Sequence, residues 1–406
     1  MAVNIDVAVI GAGFSGLECA KVLARNDYSV NVLEQRNTIY RDQSLKVPES
    51  ILKKFGIDYV ARKVDKIHLR NVDTDAGKIL NDNIILSKNF KGDEVVIADH
   101  TRIYEHFEKE LKEQVILNSE VKKIEKRDGK FHIYTEDEEY VSNLLIDASG
   151  QSNITDKLIP NNHWFHQGAY FSCYGKRYDN CEGLKNYYES FFDFDRPGLL
   201  GTWGYTINDS TFELGVSYFS KGFDFEKESK NLEKLLSNYA HLEPFWNILK
   251  NAEPGRLLYG HIPLLPRPYN EKEGVYYVGD ALHAVSFTGQ GIPNCFESGK
   301  AAANSIITGK KYTYHASPPL RGLEMLNLVS NFDTERLRIL VNALGKLDGK
   351  NIFKFLTGKV DNTFMFKLMS KLGKDVTKFL SAANPSTMIR SVFNMKPKES
   401  DYKMWY

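Results

Sequence analysis

Along the first thirty-four residues the hydrophobic period changes twice. The segment "IDVAVI" (5–10) is a β-branched apolar run suited to a buried parallel strand. "FSGLECAKVLARN" (14–26) then spaces Leu17, Ala20, Val22, Leu23 and Ala24 at helical intervals, and "YSVNVLE" (28–34) returns to strand. Gly11, Gly13 and Gly16 lie between the first strand and the helix. Glycines at that spacing give a tight turn, a close backbone approach to a pyrophosphate and close helix-to-strand packing, with the phosphates at the helix N-terminus. Glu34 ends the second strand, where a carboxylate accepts both hydroxyls of an adenosine ribose. The pattern predicts a dinucleotide site; a glycine turn needed only for packing is the alternative.

A second glycine-dense stretch lies far downstream. "GVYYVGDA" (274–281) reads as a strand carrying Asp280 to its end, and "GIPNCFESGKAAANSII" (291–307) as a helix with a small face of Gly299, Ala302 and Ala303. The loop "SFTGQG" joins them through Gly289. Asp280 is placed to bond a ribityl hydroxyl, and the amides of Gly291 and Ile292 to face the pyrimidine edge of an isoalloxazine. One extended cofactor touching both stretches would be FAD. An ordinary strand, turn and helix with a solvated Asp is the other reading.

Between the two, "KIHLRNVDTDAGKILNDNIILSKNFKGDEVVIAD" (66–99) alternates like antiparallel strands. So do "YFSCYGKRYDN", "NYYESFFDF" and "TFELGVSYF", which are rich in Tyr and Phe. An aromatic sheet is often only core, yet a flavin needs a dry wall opposite its ring. From about 311 the chain reads as helices: "LEMLNLVSNF", "TERLRILVNALGKL" and "FMFKLMSKLGKDVTKFLSAAN". In the last, Lys367, Lys371, Lys374 and Lys378 accompany eight large apolar residues, so it either packs on the body or docks on anionic lipid.

Composition narrows the class. A chain of 406 residues is expected to form two or three units. With 42% hydrophobic and 26% charged residues and no low-complexity tract, disorder is excluded. Net charge is +1, but residues 301–406 hold 17 Lys and Arg against 8 Asp and Glu, leaving 36 against 44 before them. No basic motif supports nucleic-acid binding. Four scattered cysteines without a CxxC pair argue against zinc and against a disulfide framework. The histidines show no HExxH, and His163 and His166 read as packing beside Trp164, so no metal is expected. The chain enters its first strand without a signal-like segment and holds no run of about 18 apolar residues, giving an expectation of a cytosolic protein, at most peripheral at a membrane.

These residues carry a family resemblance. The chain resembles FAD-dependent oxidoreductases of the para-hydroxybenzoate hydroxylase type of fold and, within them, the archaeal geranylgeranyl reductases. "VIGAGFSGLECAKVLARNDYSVNVLEQ" looks like their N-terminal motif, "VIADHTRIYEHFEKEL" like the segment with a flavin-contacting arginine, here Arg102, and "LLIDASGQSN" like the second motif, with Asp147 and Gly150. "GDALHAVSFTGQGIPNCFESGKAAA" resembles the third, and "SNFDTERLRILVNALGKLDGKNIFKFLTGK" the helical C-terminal segment. The resemblance implies further cofactor contacts from Phe14, Ser15, Gln35, Ser44, Leu45 and Val121. It departs at three places. The YxWxFP cavity signature survives only in "GTWGYT" as Trp203, with Tyr205 at the aromatic position. The flavin-side loop offers Ser44, Leu45 and Lys46 in place of a cysteine, and the second motif lacks its usual ADG and arginine.

The resulting expectation is a mixed α/β and α+β protein. A discontinuous FAD-binding Rossmann-type domain spans 1–75, 96–160 and 260–310, an antiparallel-sheet substrate domain 76–95 and 161–259, and a helical region 311–406. The expected activity is reduction of carbon–carbon double bonds of an isoprenoid lipid by hydride from reduced FAD, with NAD(P)H or ferredoxin as external donor. No catalytic acid stands out; Trp203, Tyr205 and His283 are candidates. A monooxygenase hydroxylating an apolar substrate, which would want a proline where Ser286 and Phe287 stand, and an inactive flavin- or lipid-binding protein are the alternatives.

Overall fold

The computed structural model describes the chain except residues 1, 41–43, 58, 74–77, 87–93, 160–168, 185–186, 194–198, 222–229, 231–232, 235, 239, 244, 284–290, 315–322, 325–330, 332, 357–360, 382–385, 387–388, 391–392, 394 and 403–406. His163, Trp164, His166, Ser286, Phe287 and Gly289 therefore lie outside the described residues, as does most of "LEMLNLVSNF".

The nucleotide-binding half is built on parallel strands. β1 (Val3–Ile10) pairs in parallel with β2 (Val30–Leu33) on one side. In chain order there follow β3 (Ser44–Pro48), β4 (Val60–Lys63), β5 (Lys66–Asp73), β6 (Lys78–Leu86), β7 (Val95–Asp99), β8 (Val115–Ile116), β9 (Lys123–Arg127), β10 (Lys130–Tyr134) and β11 (Glu139–Asp147). Then come β12 (Ala169–Asp179), β13 (Tyr187–Asp193), β14 (Leu199–Thr206), β15 (Phe212–Lys221), β16 (Glu253–Pro263), β17 (Glu271–Lys272) and β18 (Val275–Tyr277). The first sheet runs β17–β18–β11–β1–β2–β8, with β10 and β9 added at β11. β1, α1 (Phe14–Ala24) and β2 follow the predicted strand–helix–strand order, because Val7, Ala8 and Val9 are buried on both faces of the sheet while the helix supplies Leu17, Ala20 and Leu23 to the core.

The second sheet is larger in reach and antiparallel apart from the β13–β5 pair, in the order β16–β12–β15–β14–β13–β5–β6. It corrects one boundary. Residues 66–75 were assigned to the FAD domain, but β5 pairs with β6 and β13 and belongs to this sheet. The period-2 pattern puts Phe212, Leu214 and Val216 on one face with Phe245 of α5 (Phe245–Leu249). On the other face Tyr205 and Ile67 meet the C-terminal helices through Val341, Leu344 and Phe364.

A small sheet β3–β7–β4 joins the two halves: Val96 and Ala98 of β7 enter the nucleotide-domain core while Val95 and Ile97 enter the cluster with Tyr205. β2 and α2 (Glu49–Lys54) flank this region, and α3 (His100–Leu111) leaves β7 with Asp99 as its cap, accepting from the Arg102 amide at 3.2 Å. α4 (Ile154–Leu158) follows the second motif, and α6 (Ile292–Thr308) is the helix of the third. The C-terminal region holds α7 (Thr334–Leu344), α8 (Gly349–Leu356), α9 (Asn362–Leu372), α10 (Val376–Leu380) and α11 (Glu399–Tyr402). The expected single helix over 364–384 is broken at Gly373, whose φ of 56° ends α9. Among the described residues no helix is long and apolar enough to cross a membrane.

Candidate FAD site

The glycine turn divides its labour by what surrounds each α-carbon. Gly11 has φ 100°, and a Cβ there would sit 2.6 Å from the Ala148 carbonyl oxygen. A Cβ on Gly16 would sit 2.3 Å from the Gly11 carbonyl oxygen, so these two glycines bring helix and strand together. Gly13 differs: nothing lies within 4 Å of where its Cβ would point. It is the N-cap of α1 and offers no side-chain cap, so the first amides of the helix, from Phe14 to Gly16, lack an intrahelical acceptor. Open space before uncapped amides at the positive end of an eleven-residue helix fits a pyrophosphate.

Glu34 lies beside this turn, 3% exposed. One carboxylate oxygen accepts from the Ala12 amide at 2.9 Å, and the other from the Arg36 amide at 3.1 Å and Nε at 2.9 Å. Burial pushes its titration up, but the Arg36 and Ala12 bonds outweigh this and hold it below the usual carboxylate range. The carboxylate thus stays ionised and, with two lone pairs on each oxygen, keeps capacity for a ribose hydroxyl. Gln35 beside it is exposed, and Val121 is buried in the adjoining core. Phe14 offers its amide to this turn while its ring stacks on Tyr104 at 4.7 Å and Phe296 at 5.2 Å, in the core.

The third motif is pressed against the first. A Cβ on Gly299 would meet the Ser15 carbonyl oxygen at 2.2 Å, and one on Gly279 the Ser15 hydroxyl at 2.4 Å. Ala302 and Ala303 are fully buried, so the small face of α6 packs on α1 as its sequence predicts. Asp280, half-buried in the turn after β18, brings its carboxylate 3.6 Å from the Cβ direction of Gly291, the residue that opens α6. Asp280, Gly291 and Ile292 are thereby gathered at one helix N-terminus, on the helix that packs against α1. Ser44 and Leu45 pair with Asp99 and Ala98 of β7, which sets the start of β3 beside the helix carrying Arg102. The Arg102 guanidinium is exposed and stacks over Tyr59 at 4.7 Å.

Asp147 holds the turn of the second motif together. It is fully buried, and its oxygens accept from the amides and hydroxyls of Ser149 and Thr155 at 2.6–3.1 Å. Gly150 follows at φ 65°, a left-handed position with nothing near its Cβ direction. A residue that sequence reasoning missed ties this turn to the third motif. Arg267, with no side-chain exposure, pairs with equally buried Asp156 at 2.6 Å and donates to Asn153 and to the Ala281 carbonyl at 3.1 Å. Its guanidinium also lies 3.8 Å above the Tyr277 ring.

His283 takes a turn role. It has φ 55°, and its Nδ1–H donates to the Leu265 carbonyl at 2.6 Å. Trp203 and Tyr205 are brought together on the large sheet, and there they meet Glu213. Trp203 lies flat over the glycine pair Gly175 and Gly215; a Cβ on Gly215 would fall 2.0 Å from the indole. Tyr205 donates its hydroxyl to Glu213 at 2.5 Å, Trp203 Nε1 lies 3.4 Å from the same oxygen, and Arg177 Nη2 is 3.6 Å from the other. Burial drives Glu213 up, only partly offset by Tyr205 and Arg177, to about 7. The signal was present in "TFELGVSYF": one acid in an apolar strand, opposite in phase to Phe212, Leu214 and Val216.

A pH dependence follows. Glu213 titrates higher folded than its ordinary 4.5, so its protonated form favours the fold. That contribution is complete below about pH 4.5 and is lost as pH rises through about 7, a span worth on the order of 3 kcal/mol. The melting temperature of the protein relative to its Glu213→Gln variant should therefore fall across that window; a constant difference contradicts the burial assigned to Glu213. None of the four cysteines forms a disulfide, and burial pushes Cys173 up to about 12 and Cys181 to about 11, so neither is a thiolate near neutrality.

Residues 5–187 match the pyridine nucleotide-disulphide oxidoreductase family. No curated protein matches the sequence. Among solved structures the chain is similar to a geranylgeranyl bacteriochlorophyll reductase-like protein from Thermoplasma acidophilum, at 17% identity and a TM-score of 0.70, over 94% of this chain and 99% of that one. It is similar to a flavoprotein/dehydrogenase from Cytophaga hutchinsonii at 13% identity and 0.65, over 93% and 99%. It is also similar to the flavin-dependent brominase Bmp2 at 15% identity and 0.61, over 99% and 100%. Likeness at these identities establishes a shared fold and leaves the reaction open. The nucleotide turn lies within the matched residues 5–187, a second helix N-terminus is packed beside it, and the fold is that of flavoproteins with a Rossmann-type domain, with FAD as the cofactor.

Proposed function

We propose that the protein reduces carbon–carbon double bonds of an isoprenoid lipid of the geranylgeranyl class. The observation that carries this reading is the half-buried Trp203 indole laid over Gly175 and Gly215, an apolar surface beside the C-terminal helices on the sheet face shared with Phe171 and Ile262. A linear alkene offers no polar handle, so such a surface is what can orient it. The chain's similarity along its whole length to a geranylgeranyl bacteriochlorophyll reductase-like protein supports the same substrate class.

Bound FAD, once reduced, supplies a hydride at N5 of its ring system. The protein's own part is positional. The first turns of α1 hold the pyrophosphate, Glu34 the ribose, and the Asp280–Gly291 corner the flavin end, while the amides opening α6 favour negative charge there. The indole and the aromatic sheet keep water from the reacting carbons. Electrons enter from an external donor such as NAD(P)H or ferredoxin, since only one dinucleotide motif is present.

The test is anaerobic. Flavin reduced with dithionite should be reoxidised on adding a geranylgeranyl lipid, and the lipid should gain a mass of about two per double bond, one hydride and one proton. Flavin that stays reduced until oxygen is admitted, with an oxygenated product, overturns the reading in favour of a monooxygenase.

A further inference from the structure

We propose that Tyr205 is the proton donor of the reaction and that Glu213 is the buried acid that recharges it, an inference that rests on the alkene reduction above. Hydride addition to one carbon of an isolated double bond requires a proton at the other, and that proton must come from a group held out of bulk water. Three strands converge to provide one. Arg177 of β12, Glu213 of β15 and Tyr205 of β14 are direct cross-strand partners, so their side chains form one row on one face. The next row on that face is Gly175, Gly215 and Trp203, the apolar wall assigned to the substrate. Donor row and substrate wall are therefore adjacent.

The row also borders the cofactor domain. Tyr205 packs in the same cluster as Val95 and Ile97 of β7, whose alternate residues Val96 and Ala98 lie in the nucleotide-domain core. β7 pairs with β3, the strand that starts at Ser44. Buried pairs of this kind are often matched or bettered by apolar residues, so stability alone does not require a carboxylate here. A buried acid tuned toward neutrality beside a hydroxyl at 2.5 Å is instead the arrangement of a proton store. The described charged or titratable groups acting on Glu213 are Arg177 and Tyr205, with the Trp203 N–H as a further donor. Cys173, on the same face, is held near 12 by burial and is the weaker acid.

In the step, the Tyr205 hydroxyl would turn from Glu213, to which it donates at rest, and its O–H bond would break as a C–H bond forms at one alkene carbon, while the neighbouring carbon would take a hydride, with its two electrons, supplied by bound reduced FAD. The Glu213 carboxyl passes its proton to the Tyr205 oxygen and becomes a carboxylate facing Arg177. A solvent proton then restores the acid.

Two measurements test this. Infrared titration of the lipid-free protein should show a buried carboxylic-acid band that fades as pH rises through about 7 and is missing in Glu213→Gln. In anaerobic single turnover with a geranylgeranyl lipid, wild-type reoxidation should slow above that pH. Glu213→Gln and Tyr205→Phe should each be slower by about 100-fold, with FAD binding and dithionite reduction retained. Tyr205→Phe keeps the Arg177–Glu213 pair, so it serves even if the first variant misfolds. Wild-type rates and pH profile in Tyr205→Phe overturn the proposal. Wild-type flavin that lipid never reoxidises sinks the substrate reading instead, and the infrared titration then judges Glu213 alone: no such band at pH 6 overturns it.

Discussion

Gly13→Ala should keep its fold and lose its FAD. The residue sits at φ −76° and ψ 169°, where alanine is unstrained, and its Cβ would meet no protein atom. The flavin-free variant should melt at the wild-type temperature or slightly above, since alanine restricts the unfolded chain by about 0.4–1 kcal/mol. The added methyl instead occupies the approach to the amides of α1, and a phosphate pushed back from them by an ångström loses most of their attraction. FAD affinity should fall about 100-fold, equivalent to roughly 3 kcal/mol. Gly16→Ala, three residues on, gives the opposite pattern. Its Cβ would sit 2.3 Å from a backbone oxygen and 2.9 Å from Ala148, so helix and strand must separate and the fold itself is destabilised. Isothermal titration with FAD beside melting of the flavin-free proteins separates the two. Equal FAD affinity in Gly13→Ala and wild type would remove the pyrophosphate from this turn.

The second large effect is expected from Arg267→Met. Removing the guanidinium leaves Asp156 fully buried without its cation, and also releases Asn153 and the Ala281 carbonyl. Breaking such a pair costs about 3–5 kcal/mol, more than most single substitutions. The double variant Arg267→Met with Asp156→Leu should recover much of that loss, because no charge is then stranded. Denaturant midpoints measure both. Beyond the β11–β18 pairing, this arginine's contacts tie the loops of the second and third motifs together, so FAD should leave Arg267→Met at lower denaturant than is needed to unfold it. A midpoint within about 1 kcal/mol of wild type would mean that the latch carries little.

The legible part of the molecule was whatever a local pattern dictates. The change of period over residues 5–34, with glycines at 11, 13 and 16, prescribes strand, turn, helix and strand because only that order buries its apolar positions and satisfies its backbone. Gly299, Ala302 and Ala303 likewise announced close helix packing; Gly299 meets the Ser15 backbone of α1, and both alanines are fully buried. Contacts made by pairing between distant strands were not legible. Arg267 stands in "LLPRPYN" without periodic context, and its partner Asp156 is over a hundred residues away. Tyr205 and Glu213 appeared separately in the sequence; the β14–β15 register makes them one unit. Residue 66 onward was drawn into the wrong domain because a strand's sheet is chosen by its partner, here β13, and not by its own alternation.

The most direct measurement of the account is an anaerobic single turnover in heavy water, with the flavin reduced by dithionite and a geranylgeranyl lipid as acceptor. A reduced flavin N–H exchanges with solvent, so hydride and proton positions should both carry deuterium, giving saturated product with about two deuterons per reduced double bond. Lipid recovered unsaturated and unlabelled, with flavin still reduced, would contradict the claim that this protein reduces prenyl double bonds.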